Sequence, residues 1–351
     1  MIFFLVALLL ISLYKCKLRP TGFFDDYISP QKTGSLKGIF IVVIMLSHVR
    51  AYVSMTSQPL DASYTAVMSF IGQAMVALFF FYSGYGIYES VKKRPGYFDG
   101  FIENRVFRIF MHFGMSVIIY WTISELVLGT HIGIDTLVRA FLGFKSIGNS
   151  SWFIFTMLLV YIFAFLSFRL LKFHPLAAIG GILALTLGFA VCIELNNYEA
   201  LWYDTAFCFA AGFVYSYFRP TIERLVKRNQ LIYPAALLLT VGGYILTTVI
   251  YRESRDIILG SLKNVIFVLA VTILSMRVSL HNPILEWLGR HSFSIFLVHR
   301  IPMILLSHFG VFADNKYLFT ALVILITLPL SYGFTHLTAA VDRLIYPKKR
   351  A

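Results

Sequence analysis

The sequence predicts an all-α fold, a polytopic bundle of about 10 or 11 transmembrane helices with no soluble domain. Three observations carry this. The chain of 351 residues is 58% hydrophobic and only 13% charged, with a mean hydropathy of +0.77, and a soluble domain needs more polar surface than that. Apolar runs of helical length recur along it, each bounded by charge, proline or glycine. The basic residues gather in alternate connections rather than scattering.

In chain order the runs cover about 2–14, 38–56, 68–91, 106–128, 151–171, 176–194, 201–218, 231–250, 257–276, 292–309 and 318–341. The first, MIFFLVALLLISLY, is short for a span. It has no basic segment before it and its positive charges follow it, so it reads as an uncleaved anchor rather than a removable leader. The expected division is an anchor and connector over 1–30 and one integral membrane domain over 31–351. The loops are short, so any chemistry sits in or at the edge of the bundle. The longest outer connection, about 129–150, carries a weakly amphipathic piece, IDTLVRAFLGF, then the turn-like SIGNSS, and reads equally as a lid or a connector.

With residues 15–37 placed inside, the inner connections collect Lys15, Lys17, Arg19, Lys32 and Lys37, then Lys92, Lys93, Arg94, Arg105 and Arg108. Further inner clusters are Arg169 and Lys172; Arg219, Arg224, Lys227 and Arg228; Arg277 and Arg290; and Arg343, Lys348, Lys349 and Arg350. About 22 of the 30 Lys and Arg fall inside, the asymmetry of the positive-inside rule. The N-terminus is then outside and the C-terminus cytoplasmic. The net charge of +13 follows from topology, with anionic lipid head groups as its partner and no call for nucleic acid. Cys16, Cys192 and Cys208 lack metal-ligand spacing and demand no disulfide.

Ionisable groups at bilayer depth are costly, which makes them the informative positions. From Lys37 to His48 is roughly 16 Å of helix, from Arg290 to His299 roughly 13 Å, and from Ser83 to Lys92 roughly 13 Å. Two histidines and the Ser83-Gly84 pair therefore fall at similar depth on three helices. A lone histidine there also serves as a helix-to-helix hydrogen bond, and a Ser-Gly pair as a close packing contact. Arg105 and Arg108, three apart, share one face of a regular helix, which suits phosphate binding as well as membrane anchoring.

Five stretches read together, SLKGIFIVVIMLSH (35–48), FFFYSGYGIYESV (79–91), FIENRVFRIF (101–110), SSWFIFTMLLVY (150–161) and LGRHSFSIFLVH (288–299), resemble the acyltransferase 3 family of integral membrane acyltransferases. That family typically O-acetylates cell-surface glycans at the bacterial plasma membrane. Its leading helix usually carries Arg, ten residues, then His, with Asp three residues before the Arg. Here the histidine is His48, the arginine position is Lys37 and the aspartate position is Gly34. Lysine keeps the charge and loses the planar fork. The family's Arg-x-x-Arg is intact as Arg105 and Arg108, and its aromatic-Ser-Gly as Ser83 and Gly84.

The resemblance implies cytoplasmic acetyl-CoA as donor substrate, no permanently bound cofactor and no metal. It puts Lys37, Arg105 and Arg108, with Lys92, Lys93 and Arg94, on the donor phosphates. His48 would be the general base or the acyl carrier, because a sugar hydroxyl is a poor nucleophile until a base takes its proton. Ser83, Tyr82 or the Gly84 amide would stabilise an oxyanion, and His299 would orient His48 or simply pack. The acceptor, a glycan or lipid-linked sugar, would enter from outside. There Trp121, Trp152, Trp202, Tyr198 and Tyr203 stand near Glu125, Asn149, Glu194, Asn196, Asn197, Glu199 and Asp204. An interfacial aromatic belt accounts for any single tryptophan equally well. A transporter or flippase of a lipid-linked sugar or small anion, using the histidines as a proton relay, is the rival reading. A small-molecule acyltransferase or a non-catalytic sensor on the same fold is a third, and a homo-oligomer is left open.

Overall fold

The structure, a computed structural model, describes residues 1–55, 59–172 and 174–346; Lys348, Lys349 and Arg350 lie outside them. The helices are α1 (Ile2–Leu13), α2 (Pro30–Val49), α3 (Pro59–Ile71), α4 (Ala74–Lys93), α5 (Arg108–Leu126), α6 (Ile134–Phe141), α7 (Trp152–Leu170) and α8 (Pro175–Leu195). They continue as α9 (Phe207–Val226), α10 (Ile232–Ser254), α11 (Ile257–Ser275), α12 (Pro283–Arg290), α13 (Ser292–Val298), α14 (Arg300–His308) and α15 (Lys316–Ile345). A two-residue antiparallel pair, β1 (Lys17–Leu18) with β2 (Val278–Ser279), is a minor addition to an otherwise all-α bundle. Among the described residues 8 helical segments are long and apolar enough to cross a membrane; the chain is an integral membrane protein.

Sequence punctuates these helices by ordinary capping. Pro30, Pro175 and Pro283 open α2, α8 and α12, where the missing N–H costs nothing. Asp256 and Asn282 cap α11 and α12 by accepting from Leu259 N at 2.9 Å and Leu285 N at 3.0 Å. Each expected apolar run holds a helix, the run 201–218 only from Phe207, and three further departures stand out. The run 38–56 starts eight residues early, at Pro30. The run 68–91 is preceded by a separate α3. The run 292–309 breaks at His299, one turn before Pro302, a residue that cannot donate back to the preceding turn. At 12 residues α1 is roughly 18 Å long, too short to span alone; it packs on α2, α3 and α12.

Two glycine crossings set the geometry around the site. A Cβ on Gly84 would lie 2.0 Å from the Phe209 carbonyl oxygen, and one on Gly212 would lie 2.2 Å from that of Phe81, so α4 and α9 meet backbone to backbone. A Cβ on Gly289 would lie 1.8 Å from the Gly34 carbonyl oxygen, and one on Gly38 would lie 2.2 Å from that of Leu285, locking α12 onto α2. The second crossing brings the α12–α14 segment, with His299, alongside the helix that carries His48.

Candidate active site

A basic cavity of about 770 Å³ enters the bundle at the end marked by Lys37, a size that suits a cofactor-like ligand. Lys37 (α2), Lys93 (α4), Arg105 and Arg219 (α9) line it, together with Ser83, Tyr85 and Tyr161. Among the described residues no carboxylate lies within ion-pair distance of Lys37, Lys93 or Arg105. Arg219 is instead held by Glu223 at 2.6 Å and donates to Tyr85 Oη at 2.7 Å. Asp26 stands at the mouth, where the Lys32 ammonium, hydrogen-bonded at 2.6 Å, holds its carboxyl below the usual carboxylate range.

Of Arg105 and Arg108, only Arg105 reaches the basic cavity. Residues Ile102–Phe107 form a π-helical turn ahead of α5, and i→i+5 bonding widens the turn so that residues three apart diverge. Arg105 reaches the cavity and also lines a neighbouring pocket of about 640 Å³ with Arg94 and Arg108. Arg108 lies only in that second pocket, with its Nε 3.6 Å from Asp342 Oδ2 and its guanidinium over the Tyr346 ring. His112 shares Asp342, at 3.0 Å.

At the opposite end a vestibule of about 470 Å³ is lined by His48, Asn149, Trp152, Tyr198, Glu199, Trp202 and Arg300. Here His48 Nδ1 and His299 Nε2 are 2.6 Å apart, and their rings lie nearly parallel. His299 is fully buried, and its Nδ1 faces the carbonyl oxygens of Phe296 at 2.8 Å and Ile295 at 3.1 Å. Carbonyls only accept, so Nδ1 of His299 carries a proton. With both rings neutral, His299 Nε2 is then an acceptor and His48 donates to it from Nδ1. That leaves His48 Nε2 with its lone pair and no protein partner among the described residues, the arrangement in which a second group fixes the tautomer of a base.

Between the two cavities stands an aromatic partition. Phe79, Phe153 and Phe296 line the inner end of the basic cavity; Phe153 packs edge-on against Phe296 at 4.8 Å and Phe79 at 6.2 Å. Phe296 also abuts His299, with ring centroids 5.9 Å apart. Ile44 lines the basic cavity and His48 the vestibule, one helical turn or about 6 Å further along α2. Adjacent residues at the start of α7 face opposite ways, Trp152 into the vestibule and Phe153 into the cavity.

The residues singled out in the sequence thus divide. Lys37, Lys93, Arg105 and Ser83 converge on the basic cavity, where Ser83 Oγ and Tyr161 Oη are 2.5 Å apart. Ser83 lies across the partition from the histidines, and Gly84 is spent on the α9 crossing. Lys92 pairs with Glu89 and donates to the Ser216 carbonyl at 3.2 Å, outside the cavity lining. His48, Asn149 and Trp152 meet in the vestibule. Trp121 is partly exposed on α5, Glu194 accepts from Tyr203 Oη at 2.7 Å, and buried Asp204 accepts from Gln73 at 2.8 Å and faces Lys263 at 3.6 Å; none of the three lines the vestibule. Two further arginines join these sites, Arg219 in the basic cavity and Arg300 in the vestibule. Arg300 adjoins His299 in the sequence, and an arginine at that depth is flagged by the same cost that flags the histidine.

A family model described as an acyltransferase domain, that of the acyltransferase 3 family, matches residues 35–336. The chain belongs to the acyltransferase 3 family. No curated protein and no solved structure matches it. The matched span contains His48, Ser83, Arg105, Arg108 and His299, with the whole vestibule lining and all of the basic cavity except what residues 25–33 contribute.

Proposed function

We propose that this membrane acyltransferase moves an acetyl group from acetyl-CoA, bound in the basic cavity, to a hydroxyl of a cell-surface or lipid-linked glycan in the vestibule. The observation that carries the reading is the His48–His299 pair. It holds a basic ring nitrogen at the vestibule wall, one turn beyond the inner end of a cavity in which Lys37, Lys93 and Arg105 have no carboxylate partner among the described residues. In this reading Lys37, Lys93, Arg105 and Arg219 take the donor's phosphates, and the cysteamine arm runs toward Phe79, Phe153 and Phe296. The basic end then faces the cytoplasm, and the vestibule opens outside a bacterial plasma membrane.

The acceptor hydroxyl gives its proton to His48 Nε2 as its oxygen attacks the thioester carbonyl. The C–S bond breaks and the CoA sulfur leaves with the proton that His48 returns. The His48 imidazolium is stabilised during the transfer because His299 Nε2 still accepts from Nδ1. In the acyl-carrier version, Nε2 itself attacks the thioester carbonyl, the C–S bond breaks and CoA leaves as the thiolate while His299 takes the Nδ1 proton. The acceptor oxygen then attacks the acyl-imidazole, the C–N bond breaks as His299 returns that proton to Nδ1, and the hydroxyl proton is released to water.

Vesicles loaded with acetyl-CoA labelled in the acetyl group, with glycan acceptors outside, test the assignment. Label on the acceptor and CoA remaining inside support it. Movement of a sugar or anion across the membrane that does not depend on CoA would put the transporter reading in its place.

A further inference from the structure

Two residues of the vestibule lining, Arg300 and Asn149, each hold a hydrogen-bond donor with no protein partner among the described residues. Arg300 gives Nη1 to the Asn149 carbonyl at 3.4 Å and Nη2 to Tyr52 Oη at 3.2 Å, while its Nε is buried with no partner. Asn149 is 2% exposed; its Oδ1 accepts from Ile147 N, and its Nδ2 is buried with no partner. Arg50, two residues after His48 in the chain and outside the vestibule lining, likewise leaves Nη1 buried with no protein partner. All three orphans are N–H donors.

The charges are equally one-sided. Among the described residues no carboxylate lies within 4.0 Å of Arg50 or Arg300. The one acidic residue in the lining, Glu199, is exposed and pairs with neither. Two fully buried carboxylates elsewhere do have cations, Asp61 with Lys316 and Asp204 with Lys263 at 3.6 Å. A partly buried guanidinium without a counter-ion is costly, and a water or a sugar hydroxyl supplies an acceptor but not the charge. A carboxylate or a phosphate supplies both, and it meets the planar fork of Arg300 in the geometry that arginine recognises.

We infer that the vestibule selects an anionic acceptor, one that presents a carboxylate or phosphate beside the hydroxyl to be acylated, with Arg300 and Asn149 as its binding groups. The inference rests on reading the vestibule as the acceptor site. It gives that site a substrate class, acidic sugars or sugar phosphates, and gives Arg300 a role separate from the chemistry at His48.

The test uses the full chain in nanodiscs of uncharged lipid, titrated with methyl glucoside, methyl glucuronide and glucose 1-phosphate, with quenching of Trp152 and Trp202 as the signal. At least one anionic probe should bind about tenfold or more tighter than the neutral glucoside, and the choice between them identifies carboxylate or phosphate as the source of charge. Arg300→Gln should abolish the preference, and Arg300→Lys should weaken it, because a point charge replaces the fork. Equal binding of the three probes, no binding of either anion, or a preference that survives Arg300→Gln overturns the inference. Labelled acetyl-CoA binding is measured on the same samples. Retained donor binding shows that a variant is folded, and wild-type protein that binds an anionic probe but not acetyl-CoA removes the acetyltransferase reading and leaves this one standing. If Arg300→Gln does not fold, the wild-type preference and the Arg300→Lys variant decide.

Discussion

His48 Nδ1 sits 2.6 Å from His299 Nε2, and His299 is itself pinned by the carbonyls of Phe296 and Ile295. The two rings form a relay in which the buried one sets the tautomer of the one at the vestibule wall. His299 is therefore a positioning residue, and its loss should reach activity through His48.

Replacing His299 with Phe is expected to lower kcat about 10- to 100-fold, the usual cost of losing an orienting partner, with the Kd for acetyl-CoA unchanged. His299→Gln, whose side-chain oxygen still accepts from His48 Nδ1, should recover part of the loss. Full activity in the Phe variant would show that His48 needs no orientation.

Arg105 and Arg108 should separate on mutation, because both line the second pocket but only Arg105 also lines the basic cavity. Arg105→Ala and Lys37→Ala are expected to weaken acetyl-CoA binding, more at low salt than at high, and Lys37→Arg to preserve it. Arg108→Ala should act mainly through its contacts with Asp342 and Tyr346, lowering thermal stability more than donor affinity. Equal effects of the two arginines on donor Kd would contradict the divergence.

The partition of Phe79, Phe153 and Phe296 should keep water and acceptor from the thioester until the arm passes it. Phe296→Ala is expected to raise CoA release in the absence of any acceptor, measured with a thiol reagent. A variant that stays silent without acceptor would show that these rings are packing alone.

Gly84→Ala should lower the melting temperature sharply. The new methyl group would meet the Phe209 backbone at 2.0 Å, and overpacking of this kind costs about 1–3 kcal/mol or more. Gly180→Ala on α8, where an added Cβ meets nothing within 4 Å, should be neutral within about 0.5 kcal/mol. Similar melting of the two variants would mean that the α4–α9 crossing relaxes easily.

The helical runs were legible because membrane-length apolar composition needs no tertiary information. The depth of His48 and His299 was legible too, from helix rise alone. Their meeting was not, since the order of helices in the membrane plane leaves no mark in a hydropathy pattern; it depends on the Gly34–Gly289 and Gly38–Leu285 contacts between segments far apart in sequence. The π turn at Ile102–Phe107 similarly hid the divergence of Arg105 and Arg108 behind a spacing that reads as one helix face. At the vestibule end, counting polar residues near helix ends gathered Glu194 and Asp204, which Tyr203, Gln73 and Lys263 engage. Arg300 was in plain view beside His299 and needed only the depth argument already applied to its neighbour.

The most direct test of the account compares wild-type protein and His48→Ala in lipid nanodiscs, each given acetyl-CoA labelled in its acetyl group, for donor affinity, CoA release and label retained on the protein. The account predicts equal affinity, release by the wild type and none by the variant, with label retained on the wild type alone if His48 carries the acyl group. Undiminished CoA release by His48→Ala, or no donor binding by the wild type, would contradict it.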